Sequence, residues 1–510
     1  MNITLITPTP PDINAFGARM ISSVLKKEGF DTRVIFLPGG IEHLRFDGSF
    51  IYKYPEKTLK QIAELCKDAD IIGFSFMSLY YDRAAQITEY LKKQFSTPVI
   101  WGGIHPTYRP EQSLENCDII CIGEGENSVI DLARKMSRGE DYTDVKSCWF
   151  KRGGGVRKNE EGPIVHNLDA LPFVDYDLKN HYVYNWRSTD IVHIGEAVMK
   201  EQFLRLPYFK DKHLLSYRTM TSRGCPHRCS YCASSAMMKL RRRSVDNVVE
   251  ELEQMLKRFD YIEIISFFDD TFFAAPIEYF EEFRDKYKKR INLPFHAQCS
   301  PTTISERKMA LLTDAGLYYT EMGIQTGSDR VKRMYKRVES NQKIIGAAAL
   351  LHRYGPRMLM PDYHVILDNP WETREDVTET LKLLLALPGK FNLQISSLVF
   401  FPGTELNERA KKEGLLKDEM NEVCRKPFTF PKGTYLNYLI YLSGFPLIPR
   451  GLLRFASRGV FVNLLHTKEP LSFYNLLFAV SKKIRLAVKG VMALAKGDFG
   501  RIANYFRLAR

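Results

Sequence analysis

The chain has 510 residues, 45% hydrophobic and 26% charged, with a formal net charge of +13. Those proportions are ordinary for a globular protein and leave room for two or three packed domains. Nine cysteines in so long a chain exclude a disulfide scaffold and suit a reducing cytoplasm. The charge is unevenly spread: residues 430–510 hold 13 Lys/Arg against two Asp/Glu, whereas the remainder is balanced at 60 against 58. The opening Met1-Asn-Ile-Thr-Leu-Ile-Thr-Pro8 has no basic n-region and no long apolar core, so no secretion signal is expected.

Residues 1–135 alternate apolar strand runs with helical stretches. Strands are expected at Ile3–Thr7, Thr32–Leu37, Ile71–Phe76, Val99–Gly103 and Ile119–Gly123, with helices near Ala18–Glu28, Tyr81–Gln94 and Pro110–Glu115. Five such units predict a doubly wound, parallel, Rossmann-like domain, whose ligands bind beyond the carboxyl ends of the strands. Polar and glycine-rich segments fall at those ends: Thr7–Asp12, Ser75–Ser78, Gly102-Gly103-Ile-His105-Pro106 and Gly123-Glu124-Gly125-Glu126. Gly102 and Gly103 would let the backbone approach a bulky ligand. Cys117 and Cys121 bracket a strand-like run and read as buried structural thiols.

Residues 136–217 show no clear period and read as a connector, aromatic and polar over 180–217. A second alternating pattern fills 218–415, with strands expected at Thr219–Cys225, Tyr261–Phe268, Pro294–Gln298, Tyr319–Ile324, Tyr363–Leu367 and Leu393–Phe400. Six strand–helix units predict a partial (β/α)6 barrel with functional groups at the strand carboxyl ends. The first unit leads into Cys225-Pro-His-Arg-Cys229-Ser-Tyr231-Cys232, three thiols at C-x3-C-x2-C spacing. Zinc sites normally show two Cys or Cys/His pairs, and no second pair lies nearby. Three thiolates instead suit an iron–sulfur cubane with one iron left open.

This motif, with its aromatic residue before the last cysteine, resembles the radical S-adenosylmethionine (SAM) superfamily. With the preceding domain, residues 1–415 resemble its cobalamin-binding branch. The resemblance implies a 4Fe-4S cluster on Cys225, Cys229 and Cys232, with SAM and cobalamin as further cofactors. It places Tyr231 near the adenine, Asp269 or Asp270 at the SAM amino group, and Gln325 and Thr326 at its ribose and methionine groups. A helix N-cap is the competing role for the two aspartates. Asp368-Asn-Pro-Trp-Glu-Thr373 stands where a glycine-rich run is common. For cobalamin the resemblance implies Ser75, Ser78, Gly102, Gly103, His105, Gly123, Glu124, Gly125 and Glu126; a loop-ordering role is the stronger reading for His105. Met77, Leu79 and Tyr80 either face the cobalt or pack. The Asp-x-His-x-x-Gly cobalt-ligand motif is missing; Asp211-Lys-His213 and Asp362-Tyr-His364 lack its glycine.

The region 416–510 is expected to be basic, apolar and helical. Gly433–Pro449 is uncharged but is interrupted by Gly444 and Pro446, and it falls short of the ~20 apolar residues a span needs. Lys482–Lys489 begins a helix with basic residues on one side. Such a tail suits a helical cap on the barrel or an anionic membrane surface. Nucleic acid ranks last, because no binding motif accompanies the charge.

The resemblance thus implies an enzyme, most readily a methyltransferase acting on an unactivated carbon of a small-molecule or lipid substrate. A flavodoxin- or ferredoxin-type electron donor is implied with it. The expected location is the cytoplasm, peripheral at the inner membrane surface if the tail docks there. A ring-closing or rearranging enzyme is the alternative, followed by a methylthiotransferase and, remotely, a cobalamin-binding sensor. No catalytic acid or base is identifiable from the sequence.

Overall fold

The structure is a computed structural model that describes residues 1–8, 14–38, 53–209, 212–234, 239–425, 431–467 and 469–495. It forms two compact units. The first comprises Met1–Phe203, Arg241–Arg243 and Phe400–Phe428; the second comprises Leu204–Leu240, Ser244–Val399 and Thr429–Arg510.

The first unit is built on strands β1 (Asn2–Thr7), β2 (Asp31–Phe36), β3 (Ile71–Ser75), β4 (Val99–Gly102) and β5 (Ile119–Cys121), all parallel. Their order is β5-β4-β3-β1-β2. Strand order reverses between β1 and β3, the place where open sheets of this winding bind ligands. The strands are near-continuous apolar runs because helices cover both faces; Ile6, Ile35, Ile72, Trp101 and Ile120 share one core.

The stretch 136–217 corrects the sequence reading, since much of it is regular. β6 (Cys148–Arg152) and β7 (Gly155–Lys158) form a hairpin antiparallel to β5, while β8 (His181–Asn185) joins β2 and β9 (Asp190–His193) follows it, giving nine strands. These strands are four or five residues long and partly exposed, so no apolar period marks them. The buried Asp175 carboxylate ties this stretch to helix Phe16–Lys27. It accepts from Ser22 Oγ (2.5 Å) and His181 Nε2 (3.1 Å) and pairs with Lys26 (2.9 Å). Burial would raise its pKa, but these partners outweigh burial and hold the carboxyl well below its usual range.

The second unit carries β10 (Leu204–Phe209) and β11 (Lys212–Thr219), an antiparallel pair. β11 then begins six parallel strands in sequence order: β12 (Ile264–Phe267), β13 (Phe295–Cys299), β14 (Leu317–Gln325), β15 (Asp362–Leu367) and β16 (Asn392–Ser397) follow. This is the expected half-barrel, with one shift: β11 ends at Thr219, where the first strand was expected to start. The following residues are turned out of the sheet, with Gly224 left-handed at φ 83°. Residues 400–415, expected to close the barrel domain, belong to the first unit. There Glu419 grips Arg109 (2.6 Å) and Asn407 (2.8 Å), and Arg425 pairs with Asp82 (2.7 Å).

The tail is helical as expected, with helices Tyr435–Ser443, Arg450–Ala456, Gly459–Leu465 and Ser472–Ala495. Arg450 and Arg454 donate to the carbonyls of Leu385, Leu387 and Gly389 at the end of helix Arg374–Ala386. Among the described residues no helix is long and apolar enough to cross a membrane. The six cysteines outside the motif are all buried.

Asp175→Ala is expected to destabilise the protein by roughly 3 kcal/mol, since it strands buried polar partners. A urea unfolding midpoint that does not move would contradict this.

Candidate functional site

In the second unit the three thiols lie on the loop that leaves β11. The loop is anchored at its root by Asp269, just after β12. This carboxylate is only 1% exposed and accepts from Thr221 N (3.0 Å) and Thr221 Oγ1 (2.8 Å), and from Ser222 Oγ. Its side chain is consumed inside the fold. Asp270 is the exposed neighbour; desolvation of its carboxyl group and the adjacent Asp269 charge raise its pKa. The 3₁₀ turn Phe272–Ala274 takes no side-chain cap, so neither aspartate acts as one. Of the two carboxylates, Asp270 is the accessible one, with Ser234 as a side-chain partner.

Further along, Ser230 fixes the loop to helix Asp329–Met334, its Oγ donating to Met334 O (2.7 Å). Tyr231 packs edge-on against Tyr335 at 5.0 Å between centroids, and His227 meets Ser300 Oγ at 3.0 Å. Arg337 lies 3.9 Å from Cys229 Sγ and also donates to Gly323 O (2.8 Å) and pairs with Glu339. Nothing in the sequence singled out Arg337 or Tyr335, because their approach is purely spatial.

Gln325 ends β14 in the left-handed region at φ 68°. Such a conformation is unusual for a residue with a side chain and marks functional loops. Thr326 is fully buried and its hydroxyl lies 3.0 Å from that of Thr380 on helix Arg374–Ala386, so its side chain serves packing. Gly327 belongs to the same contact: a Cβ there would sit 2.6 Å from Glu379 O. At the end of β15, Asp368 keeps the left-handed backbone that a glycine would supply, at φ 60°. Its carboxylate accepts from Asn437 Nδ2 (2.8 Å) and Lys432 N (2.9 Å). Burial and the Asp376 and Asp368 charges push Glu372 up to about 8.

In the first unit, Thr7 Oγ1 and Ser78 Oγ are buried at the ends of β1 and after β3, without a hydrogen-bond partner. Unsatisfied hydroxyls at the switch point call for a hydrogen-bonding ligand. Ser75 lies beside them at the end of β3, and Met77 is 40% exposed, whereas Tyr80 is buried and Leu79 packs against the core. Pro8 apart, the loop after β1 to Asp12 lies outside the described residues, as does Asp211. The glycine pair needs a correction. A Cβ on Gly103 (φ 97°) would strike Phe76 O at 2.7 Å, and one on Gly102 would make ordinary contacts within the sheet. Gly103 thus lets two loops of the protein itself approach one another. His105 is fully buried against the rings of Phe76 and Tyr81 (5.7 and 4.9 Å), and burial lowers it to about 4. Gly123 turns the chain at φ 74° into open space and Gly125 packs near Ile21. Glu124 makes a nearly buried, bidentate pair with Arg241, and Glu126 opens helix Glu126–Ser137.

The profile of the Radical SAM superfamily matches residues 219–384, and that of the B12 binding domain matches residues 3–133. The chain belongs to the cobalamin-binding radical SAM superfamily. This superfamily member is 28% identical over 370 residues to an uncharacterized methyltransferase of Pyrococcus horikoshii, covering 70% of this chain and 73% of the relative. It is 22% identical to the cytidylyl-2-hydroxyethylphosphonate methyltransferase of Streptomyces wedmorensis, covering 62% of each. Its fold is that of the radical SAM methyltransferase TsrM of Kitasatospora setae, with a TM-score of 0.63 at 15% identity over 81% of this chain and 76% of that one.

The residues fit the cofactors of the superfamily, a 4Fe-4S cluster, SAM and cobalamin. The donor set for the cluster is three thiols with a guanidinium beside one of them, and the unpartnered hydroxyls of Thr7 and Ser78 suit a large polar ligand. Among the described residues no three His, Cys, Asp or Glu side chains converge on a single metal ion. A cubane does not require that, since each thiolate binds a different iron.

Glu372 yields a pH test. Its folded pKa lies above its ordinary 4.5, so the unfolded chain releases a proton that the fold retains, and stability falls as pH rises from 4.5 towards 8. Glu372→Gln is expected to match the parent near pH 4 and to exceed it by a few kcal/mol at pH 8. Parallel stability curves would refute the buried acid.

Proposed function

We propose that this enzyme methylates an unactivated carbon and does so while resting on an anionic membrane surface. The observation carrying the first part is the pairing, in one chain, of the three-thiol half-barrel with a B12 binding domain, as in relatives that are chiefly methyltransferases. When bound, the cofactors supply radical generation and a transferable methyl group. The chain's own residues would position them: Cys225, Cys229 and Cys232 hold the cluster, with Arg337 beside Cys229. Asp270 meets the SAM ammonium group, Gln325 meets its ribose side, and Ser75, Ser78 and Thr7 grip the rim of cobalamin. An external donor of flavodoxin or ferredoxin type provides electrons. Cyclisation is the second reading, because a relative 23% identical over 46% of this chain is the anaerobic magnesium-protoporphyrin IX monomethyl ester cyclase of Synechocystis.

Support for the membrane comes from the tail. Among the described residues, fourteen exposed large apolar side chains fall within 447–494, against nine in all the rest. On helix Ser472–Ala495, Phe473, Leu476, Val480, Ile484, Val491 and Leu494 recur every three or four residues, or seven, and form one stripe. The other face carries Tyr474 and Phe478, which pack on Tyr435, Tyr438 and Tyr441. The helix thus caps its unit and still presents an apolar stripe bordered by Lys483, a pattern suited to anionic headgroups.

Incubation of the reconstituted enzyme with SAM, cobalamin and a strong reductant is expected to yield both S-adenosylhomocysteine and 5′-deoxyadenosine by mass spectrometry. Deoxyadenosine alone would defeat methylation and favour cyclisation. Leu476→Glu with Ile484→Glu, both on the exposed face, is expected to weaken flotation with phosphatidylglycerol vesicles roughly 100-fold, since each buried aliphatic side chain is worth about 1.5–3 kcal/mol. Unchanged flotation would remove the docking surface.

A further inference from the structure

The half-barrel strands are buried on one face by helices, and that face is apolar: Phe295, Ala297, Met322, Ile324, Val365 and Leu367 are each at most 1% exposed. The alternate residues point the other way, into the lumen. In a barrel built for a hydrocarbon those positions would be apolar as well. Here they include His296, Gln298, Tyr319, Glu321, Asp362 and His364.

Glu321 is the centre of this group. Its carboxylate lies 3.6 Å from His296 Nε2, 3.2 Å from His364 Nε2 and 3.5 Å from Gln298 Nε2. Charge-assisted hydrogen bonds run nearer 2.7–2.9 Å, so these three contacts are long, and the Tyr319 hydroxyl is a further partner. His296 is 1% exposed; its Nδ1 meets Ser266 Oγ at 2.9 Å, while its Nε2, aimed at Glu321, has no hydrogen-bond partner. Burial lowers His296 to about 4, so it stays neutral; burial would also raise Glu321, but His364 and the Tyr319 hydroxyl outweigh it and hold the carboxyl below its ordinary range, so it stands ionised. Asp362, the register partner of Glu321, is held by neutral groups, the amides of Asn392 (2.8 Å) and Gln394 (3.0 Å). The lumen guanidinium, Arg218, lies over Phe268 at 4.2 Å. Among the described residues these strands bring two carboxylates and one guanidinium to the lumen, an anionic balance, and the chamber is open, with the side chains of His364 39% and Glu321 24% exposed.

We infer that the lumen takes the reacting end of the substrate, that this end carries an ammonium group, and that Glu321 is its anchor. The inference rests on the methyltransferase reading and narrows its substrate class. It rules out a bare hydrocarbon in the chamber; the ammonium belongs to a free amino compound or to an aminophospholipid headgroup.

The test uses the full-length reconstituted enzyme saturated with SAM, so that the SAM ammonium is not the responding ligand. Thermal shift is read with free amino acids and amino alcohols, with their neutral hydroxyl isosteres, and with phosphatidylethanolamine vesicles. At least one ammonium probe is expected to bind saturably while its neutral isostere does not, and the responding arm identifies the source. Glu321→Gln is expected to weaken that binding at least tenfold with iron content unchanged. Gln394→Lys, at an exposed position beside Asp362, is expected to do the same by supplying a competing cation, and it serves if the first variant fails to fold. Failure of every ammonium probe, equal binding of isosteres, or unchanged affinity in a folded variant would overturn the inference. S-adenosylhomocysteine formation without ammonium dependence would defeat it alone; ammonium binding without S-adenosylhomocysteine would defeat the methyltransferase reading instead.

Discussion

The buried carboxylate of Asp269 sets the geometry on which the catalytic unit depends. It joins the end of one barrel strand to the root of the loop that leaves its neighbour, through hydrogen bonds from Thr221 and Ser222. A carboxylate taken out of water is tolerable only when its lone pairs are filled, and here they are filled by the segment that leads to Cys225. The position of the three thiols relative to the barrel mouth follows from that one satisfied anion. Asp270, one residue on, stays available because Asp269 does not.

Around this anchor the unit manages charge in layers. Near the thiols stands Arg337, itself held by Glu339 and the Gly323 carbonyl, so its position is fixed before any cluster arrives. Deeper in the barrel the described residues invert the balance, with Glu321 and Asp362 facing the lumen beside Arg218. On the helical side the lining is apolar, so the polar chamber is bounded on that side by dense packing. The tail shows the opposite use of surface, turning an apolar stripe outward with Lys483 at its border.

Much of this was legible in the sequence. Buried parallel strands announce themselves as apolar runs, and both sheets were read from them; the thiol spacing named the chemistry. Other features were hidden for definite reasons. The strands at 148–193 are short and half exposed, so they carry no period. Asp269 and Asp270 are chemically identical, and only burial separates the clamp from the accessible acid. Gly103 reads like a ligand cradle, yet its missing side chain makes room for Phe76. Arg337 reaches Cys229 across 108 positions of chain. The lumen residues were visible as polar residues at alternate positions of Phe-His-Ala-Gln-Cys and Tyr-Tyr-Thr-Glu-Met, but their meaning required knowing which side of each strand faces inward.

The first compact unit is assembled from three stretches of polypeptide, Met1–Phe203, Arg241–Arg243 and Phe400–Phe428. Its gene segment is therefore interrupted twice by the other unit. A single recombination event cannot exchange the cobalamin module for another without also severing the Glu124–Arg241 and Glu419–Arg109 pairs. During synthesis, too, the unit cannot be completed until its last stretch, Phe400–Phe428, has left the ribosome.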